Sequence, residues 1–107
     1  MSIIQIVNLT SSDRKSKRLK VTLNDGKSYD FGLKGSSTYI DNHDMKKRAN
    51  YIARHISNPI EKERIENLIP SPALFSMYLL WGPYTDIEKN VTFLNNLFRR
   101  NRVTIKS

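Results

Sequence analysis

The chain lacks cysteine altogether and has only four glycines, four prolines and two histidines in 107 residues. Without cysteine there is no disulfide, no thiolate metal ligand and no thiol nucleophile, so packing alone must hold the fold together. Long apolar runs are also missing, because the most apolar stretch, residues 73–81, falls well short of the roughly 20 residues that span a bilayer. The N-terminal run is too short and too polar for a signal peptide. We therefore expect one soluble domain over residues 1–107, with no membrane partner.

Acidic residues are in deficit, and the excess of positive charge is uneven along the chain. Eighteen Lys and Arg against ten Asp and Glu give a net charge of +8, and residues 43–58 alone hold four basic side chains and one acidic one. A basic surface concentrates polyanions, which predicts nucleic-acid phosphates or an acidic protein face as the partner, although the same charge also serves solubility. The candidate polyanion-binding residues are Arg14, Lys15, Lys17 and Arg18 in an N-terminal basic arm, and Lys46, Lys47, Arg48 and Arg54 in the dense segment.

The first third of the sequence predicts a small antiparallel sheet. Apolar and polar residues alternate over residues 19–23 and again over 29–33, and Asn24-Asp25-Gly26 between them favours a tight turn. Because a lone hairpin is only marginally stable, residues 3–9 are expected to add a third strand. The basic arm then lies in an exposed loop at the sheet edge, where it either binds polyanions or blocks edge-to-edge strand pairing.

Three to four helices are predicted after the sheet, so the expected fold class is α+β. The sheet region covers residues 1–35, the helical region covers 42–100, and a short basic tail follows. Along the basic segment an apolar stripe recurs at helical spacing and is expected to face the core: Met45, Ala49, Ile52 and Ile56.

The later helices have clear boundaries in the sequence. Pro59 predicts the first turn of a short helix that ends near Leu68 and is laced by pairs such as Glu61 with Arg64. The segment after Ser71-Pro72 is apolar on every side, so Trp81 at its end is expected in the core. Thr85 and Glu88 predict a capping box for the last helix, whose inward stripe is Ile87, Val91, Leu94 and Phe98.

The loop Lys34-Gly35-Ser36-Ser37 is a candidate anion site. Glycine permits close backbone approach, the lysine and hydroxyls can donate hydrogen bonds, and a helix follows with its positive dipole end, so a phosphate could dock there. The glycine spacing does not fit a Walker motif, so nucleotide hydrolysis is not predicted. The alternative is structural, with Gly35 bending the chain out of the sheet.

No catalytic residue, metal site or cofactor is predicted. His43 and His55 lie about 18 Å apart along one helix axis and cannot ligate one metal. Lys47 and Tyr51 share a stripe with them at four-residue spacing, but no paired carboxylates or triad accompany this row. Asp41 and Asp44 suit helix capping, and His43 suits a hydrogen bond in the same cap region.

Two motifs carry a resemblance to a known family. The Lys-Gly-Ser-Ser loop leads into a basic helix containing Tyr-Ile-Ala-Arg-His at residues 51–55, and Leu-Leu-Trp at 79–81 precedes an amphipathic helix. Over about residues 19–98 the chain resembles small, largely uncharacterised proteins encoded by large nucleocytoplasmic DNA viruses of the mimivirus and algal-virus kind. Residues 58–70 depart from that pattern. The resemblance implies a viral origin and an intracellular life, and it supplies no catalytic residue.

The function expected on these grounds is that of a non-enzymatic, basic structural protein of a virion. It would be a minor capsid or virion-internal component that contacts acidic protein or DNA, located in the virion and, during assembly, in the viral factory of the host cytoplasm. Sequence-nonspecific DNA packaging is the alternative, and an unrecognised enzyme is the third candidate. No helix-turn-helix, zinc finger or aromatic RNA-binding motif is present, so DNA contacts are expected at phosphates. No small-molecule substrate is indicated.

Overall fold

A computed structural model describes residues 2–105 and confirms the α+β class. Three strands come first: β1 (Ile6–Ser11), β2 (Lys17–Leu23) and β3 (Ser28–Leu33). The helices follow: α1 (Tyr39–Asn42), α2 (Met45–Ile56), α3 (Pro59–Glu66), α4 (Pro72–Phe75) and α5 (Ile87–Arg100). A π-helical segment, Ser76–Leu80, continues α4 directly. The chain thus has more, and shorter, helical pieces than the sequence predicts.

The sheet is an antiparallel meander in the order β1-β2-β3. The predicted hairpin is present as β2 and β3, with Leu19 opposite Phe31 and Val21 opposite Tyr29. The third strand begins at Ile6 and not at residue 3, because the preceding residues pair with the C-terminal tail, where Ile4 N donates to Val103 O at 2.8 Å. A side chain of helix α5 is hydrogen-bonded to the first residue of β1, since Asn95 Oδ1 accepts from Ile6 N at 2.8 Å.

One core lies between the sheet and the later helices. Phe31 of β3 packs against Phe75 of α4, with ring centroids 6.0 Å apart. Leu94 and Phe98 of α5 are fully buried, as the inward stripe predicts, and Trp81 is buried with 9% of its surface exposed. The prediction that Trp81 belongs to the core is confirmed.

The turn between the π-helical segment and α5 is held from inside by Asn90. This fully buried side chain donates to Leu79 O and Tyr84 O at 3.0 and 2.8 Å, and accepts from Tyr84 N at 2.9 Å. Gly82 is required there, because a Cβ would overlap Tyr78 O. The predicted capping box at Thr85 is wrong: Asp86 caps α5 by accepting from Glu88 N at 2.9 Å.

Helix α2 packs through a different face from the one predicted. Of the expected inward stripe, Met45 is 66% exposed and Ile56 is 41% exposed. The face that contacts the core carries Arg48, Tyr51 and His55, which are partly buried. The prediction was wrong because periodicity detects apolar residues alone, whereas this helix docks by aromatic stacking and hydrogen bonds.

Substitution of Trp81 by Ala is expected to cost about 3–5 kcal/mol of unfolding free energy, since it removes a large core side chain and leaves a cavity. Urea denaturation measures the loss. Ile60→Ala is the control, because Ile60 is 62% exposed and its truncation should change stability by less than about 0.5 kcal/mol. A red-shifted, readily quenched tryptophan fluorescence in the folded protein would contradict the core position.

Candidate functional site

A cleft of about 670 Å³ opens between the end of β3 with its following loop and helix α2. Ser76, Leu80 and Trp81 form its floor. One wall carries Gly32, Leu33, Ser36, Ser37 and Thr38, and the other carries Lys47, Asn50, Tyr51, Arg54 and His55. The cleft therefore joins part of the predicted anion loop to part of the predicted basic helix.

The start of α2 sets which of its basic residues enter the cleft. Asp44 caps the helix as predicted, accepting from Lys46 N and Lys47 N at 3.0 and 3.1 Å. From this start, helical periodicity puts Lys47, Asn50 and Arg54 on the side that faces the loop. Lys46 is exposed on a different face of the helix and does not line the cleft.

An aromatic column supports the α2 wall. Tyr51 lies flat on Trp81, with centroids 4.3 Å apart and planes at 8°, and His55 covers the other face of Tyr51 at 4.0 Å. The Tyr51 hydroxyl is 2.9 Å from Ser76 Oγ. Burial raises the pKa of Tyr51, which therefore stays neutral at physiological pH. Both faces of its ring are occupied within the protein.

His55 is held by α3. Its Nδ1 lies 2.7 Å from Glu61 Oε2, so Glu61 pairs with this imidazole and not with Arg64 as the sequence predicts. Glu61 does not line the cleft, whereas His55 does.

Two of the predicted binding residues are engaged inside the protein. Arg48 Nε donates to Trp81 O and Gly82 O, both at 3.0 Å. Arg18 makes a bidentate pair with Asp41, with both N–O distances 2.7 Å, and also donates to Thr38 Oγ1. These guanidinium groups tie elements together, so we place them outside the candidate site.

The rest of the basic arm adjoins the cleft mouth. Lys17 lies opposite Leu33 in the sheet, and Lys34 N donates to Ser16 O at 3.1 Å. Arg14 and Lys15 are exposed in the same turn. Lys34 and Gly35 do not line the cleft. Gly35 has a φ of 85°, which suits the turn that brings Ser36 N to Leu33 O at 3.1 Å.

Sequence reasoning anticipated part of this site and missed the rest. The row containing Lys47, Tyr51 and His55 does line one wall. Asn50 and Ser76 carried no motif, and the sole signal for Ser76 was its polarity within an apolar helix. His43, placed in a cap region, ends α1 with a φ of 55°.

Neither a metal cluster nor a membrane span is found within residues 2–105. No three His, Asp or Glu side chains in that range come together closely enough to hold a metal ion. Likewise, no helix in the described range is long and apolar enough to cross a bilayer.

Comparisons with known proteins give one match. The model of a family of unknown function, DUF5754, matches residues 7–55, just under half of the chain. The match extends from β1 to α2 and includes both walls of the cleft but not its floor. The search of curated proteins and the search of solved structures gave no match.

The Arg18–Asp41 pair should make stability depend on acid pH. Hydrogen bonds from Arg18, then from Thr38, hold the pKa of Asp41 well below its usual range. A depressed pKa in the folded state means that the stabilisation is complete above about pH 5 and is lost as the pH falls toward the folded pKa. Asp41→Asn should therefore cost about 1 kcal/mol at neutral pH, because the pair is partly exposed, and less in acid.

Urea denaturation of wild type and Asp41→Asn at neutral pH and near pH 3 measures this difference. Glu63→Gln is the control, since Glu63 is exposed on α3 and should give a small difference at both pH values. An Asp41→Asn penalty that is the same at both pH values would contradict the assignment.

Proposed function

We propose that the protein is a non-enzymatic module that binds nucleic-acid phosphates in the cleft between α2 and the loop after β3. The observation that carries this proposal is the convergence of Lys47 and Arg54 with Ser36 and Ser37 across one cleft. Cations and hydroxyls are the side chains that most often contact phosphate oxygens. The setting we propose is the virion of a large DNA virus, on the strength of the family resemblance.

The electrostatics of the cleft favour an anion. Lys47 and Arg54 are exposed and make no ion pair within the described residues. No carboxylate belongs to the described lining. A phosphate entering here displaces no internal partner of either cation, which removes one cost of binding.

Contacts to phosphates are favoured over contacts to bases. Stacking of a base needs an open aromatic face, but Trp81 is buried under Tyr51, and Tyr51 is covered by His55. Binding through phosphates carries little sequence information. We therefore propose sequence-independent binding.

Binding is also favoured over catalysis. A serine nucleophile needs a base within hydrogen-bond reach. Ser76 Oγ instead contacts the Tyr51 hydroxyl, while His55 Nδ1 contacts Glu61. The partner of the Ser76 hydroxyl is thus the neutral phenol of Tyr51, which is a poor base at neutral pH.

A second candidate function is attachment to an acidic face of a capsid protein, as a minor virion component. Three exposed apolar side chains on α2 and α3 favour it: Met45, Ile56 and Ile60 are 66%, 41% and 62% exposed. Apolar side chains of this size suit the core of a protein interface. Lys46, next to Met45, could contact acidic side chains of the partner at the rim of that interface. Fractionation of purified particles into shell, core and soluble parts distinguishes the two candidates.

The double substitution Lys47→Ala with Arg54→Ala should weaken binding to mixed-sequence DNA about tenfold or more at low salt, because two phosphate contacts are lost. Fluorescence anisotropy of labelled DNA measures the affinity. Ser36→Ala with Ser37→Ala should weaken it less, since it removes neutral donors.

Lys89→Ala with Arg100→Ala is the matched control, since it removes the same charge from exposed positions on α5. If both double variants weaken DNA binding equally, net charge alone is responsible for the binding. Affinity that does not fall between low and moderate salt would contradict phosphate binding altogether.

A further inference from the structure

The cleft geometry points to a single nucleic-acid strand as its ligand, in preference to a duplex, and we infer that this strand continues onto the basic arm. The inference rests on the proposed function and names its substrate class. Three features of the described residues carry it: the direction of the α2 cations, the closed aromatic column and the position of the arm.

Two exposed cations of α2, Lys47 and Arg54, border the cleft. Proteins commonly read a duplex by placing a protruding helix in the major groove, which is about 12 Å wide. Here Lys47, Asn50 and Arg54 line a cleft whose opposite wall is the Ser36–Thr38 loop of the same chain. A duplex groove that admitted this face of α2 would therefore have to admit the loop as well. A ligand that contacts both walls must lie between them.

A single strand fits this constraint. The cleft volume of about 670 Å³ is that of a site for a small ligand, so it holds a short piece of a chain and not a rigid cylinder. In a duplex the second strand would stand against one of the walls. A lone strand can turn its phosphates toward Lys47 and Arg54 on one side and the loop hydroxyls on the other.

The basic arm supplies a path out of the cleft. Leu33 lines the cleft, is 63% exposed and pairs with Lys17 in the sheet. The backbone of Lys34 is bonded to Ser16 in the middle of the arm. A strand that leaves the cleft past Leu33 therefore meets Lys15, Lys17 and Lys34, and each further phosphate neutralised should steepen the salt dependence by about 0.7.

Base identity should matter little along this path. The ring faces of Tyr51 are occupied by Trp81 and His55, so this ring offers no open face on which a base could stack. This differs from single-strand binding proteins that stack successive bases on open aromatic side chains. Affinity should rise with strand length and not with a particular base.

The test compares ligands of different length and form by fluorescence anisotropy at low salt. The probes are thymidine monophosphate, a thymidine dinucleotide, an oligothymidylate of about twelve nucleotides, and a hairpin duplex with the same number of phosphates. We expect the oligonucleotide to bind at least tenfold more tightly than the hairpin. The double variant Lys15→Ala with Lys17→Ala should bind the oligonucleotide several-fold more weakly and bind the dinucleotide with unchanged affinity.

The double variant Lys47→Gln with Arg54→Gln should bind both the oligonucleotide and the dinucleotide more weakly. The control Lys89→Ala with Arg100→Ala should bind both with unchanged affinity. Thermal melts confirm that each variant is folded. Equal or tighter binding of the hairpin would overturn the single-strand inference and leave the proposed function standing. Monophosphate binding as tight as oligonucleotide binding would overturn the strand path. No binding of any probe would overturn the proposed function as well.

Discussion

The stacking of Tyr51 on Trp81 fixes helix α2, and the candidate site depends on that position. The helix has no buried residue of its own. It is attached by this stack at 4.3 Å, by the Tyr51–Ser76 hydrogen bond, and by Arg48 to the carbonyls of Trp81 and Gly82. Each contact is worth only about 0.5–1.5 kcal/mol, yet together they select one face of the helix. Because that face is inward, Lys47 and Arg54 turn toward the loop.

The position of Trp81 depends in turn on how the chain leaves the π-helical segment. Trp81 N donates to Ser76 O at 3.1 Å, the five-residue spacing of a π-helix, and such segments frequently occur at functional sites. Asn90 of α5 then bonds Leu79 and Tyr84 on either side of Gly82. One fully buried amide therefore holds both ends of the turn whose carbonyls accept from Arg48. The floor of the cleft is thus continuous with the core.

The parts of the fold that could be predicted from the sequence are those in which regularly spaced apolar side chains are buried. The hairpin of β2 and β3 and the inward residues Leu94 and Phe98 follow from spacings of two and of three to four residues. The buried face of helix α2 was predicted wrongly because the helix is attached through a guanidinium group and stacked rings. Arg48 and its carbonyl partners are 33 and 34 residues apart, and no local pattern relates them. The carbonyls that Asn90 satisfies are nearer, 11 and 6 residues away, but these separations match no hydrogen-bond spacing within a helix or strand.

Charge counting could not separate the basic residues that support the fold from those that face the cleft. Arg18 and Arg48 are held in several hydrogen bonds each, a role that suits the planar guanidinium and its fixed donors. Arg54 carries the same group but lines the cleft beside Lys47. Arg18 donates to Thr38 and Asp41 next to the loop wall, and Arg48 bonds α2 to the floor of the cleft, whereas Lys47 and Arg54 stand on the α2 wall itself. Arg18 and Arg48, which count toward the net charge of +8, are therefore engaged within the fold, and the positions of the two walls determine which other basic residues border the cleft.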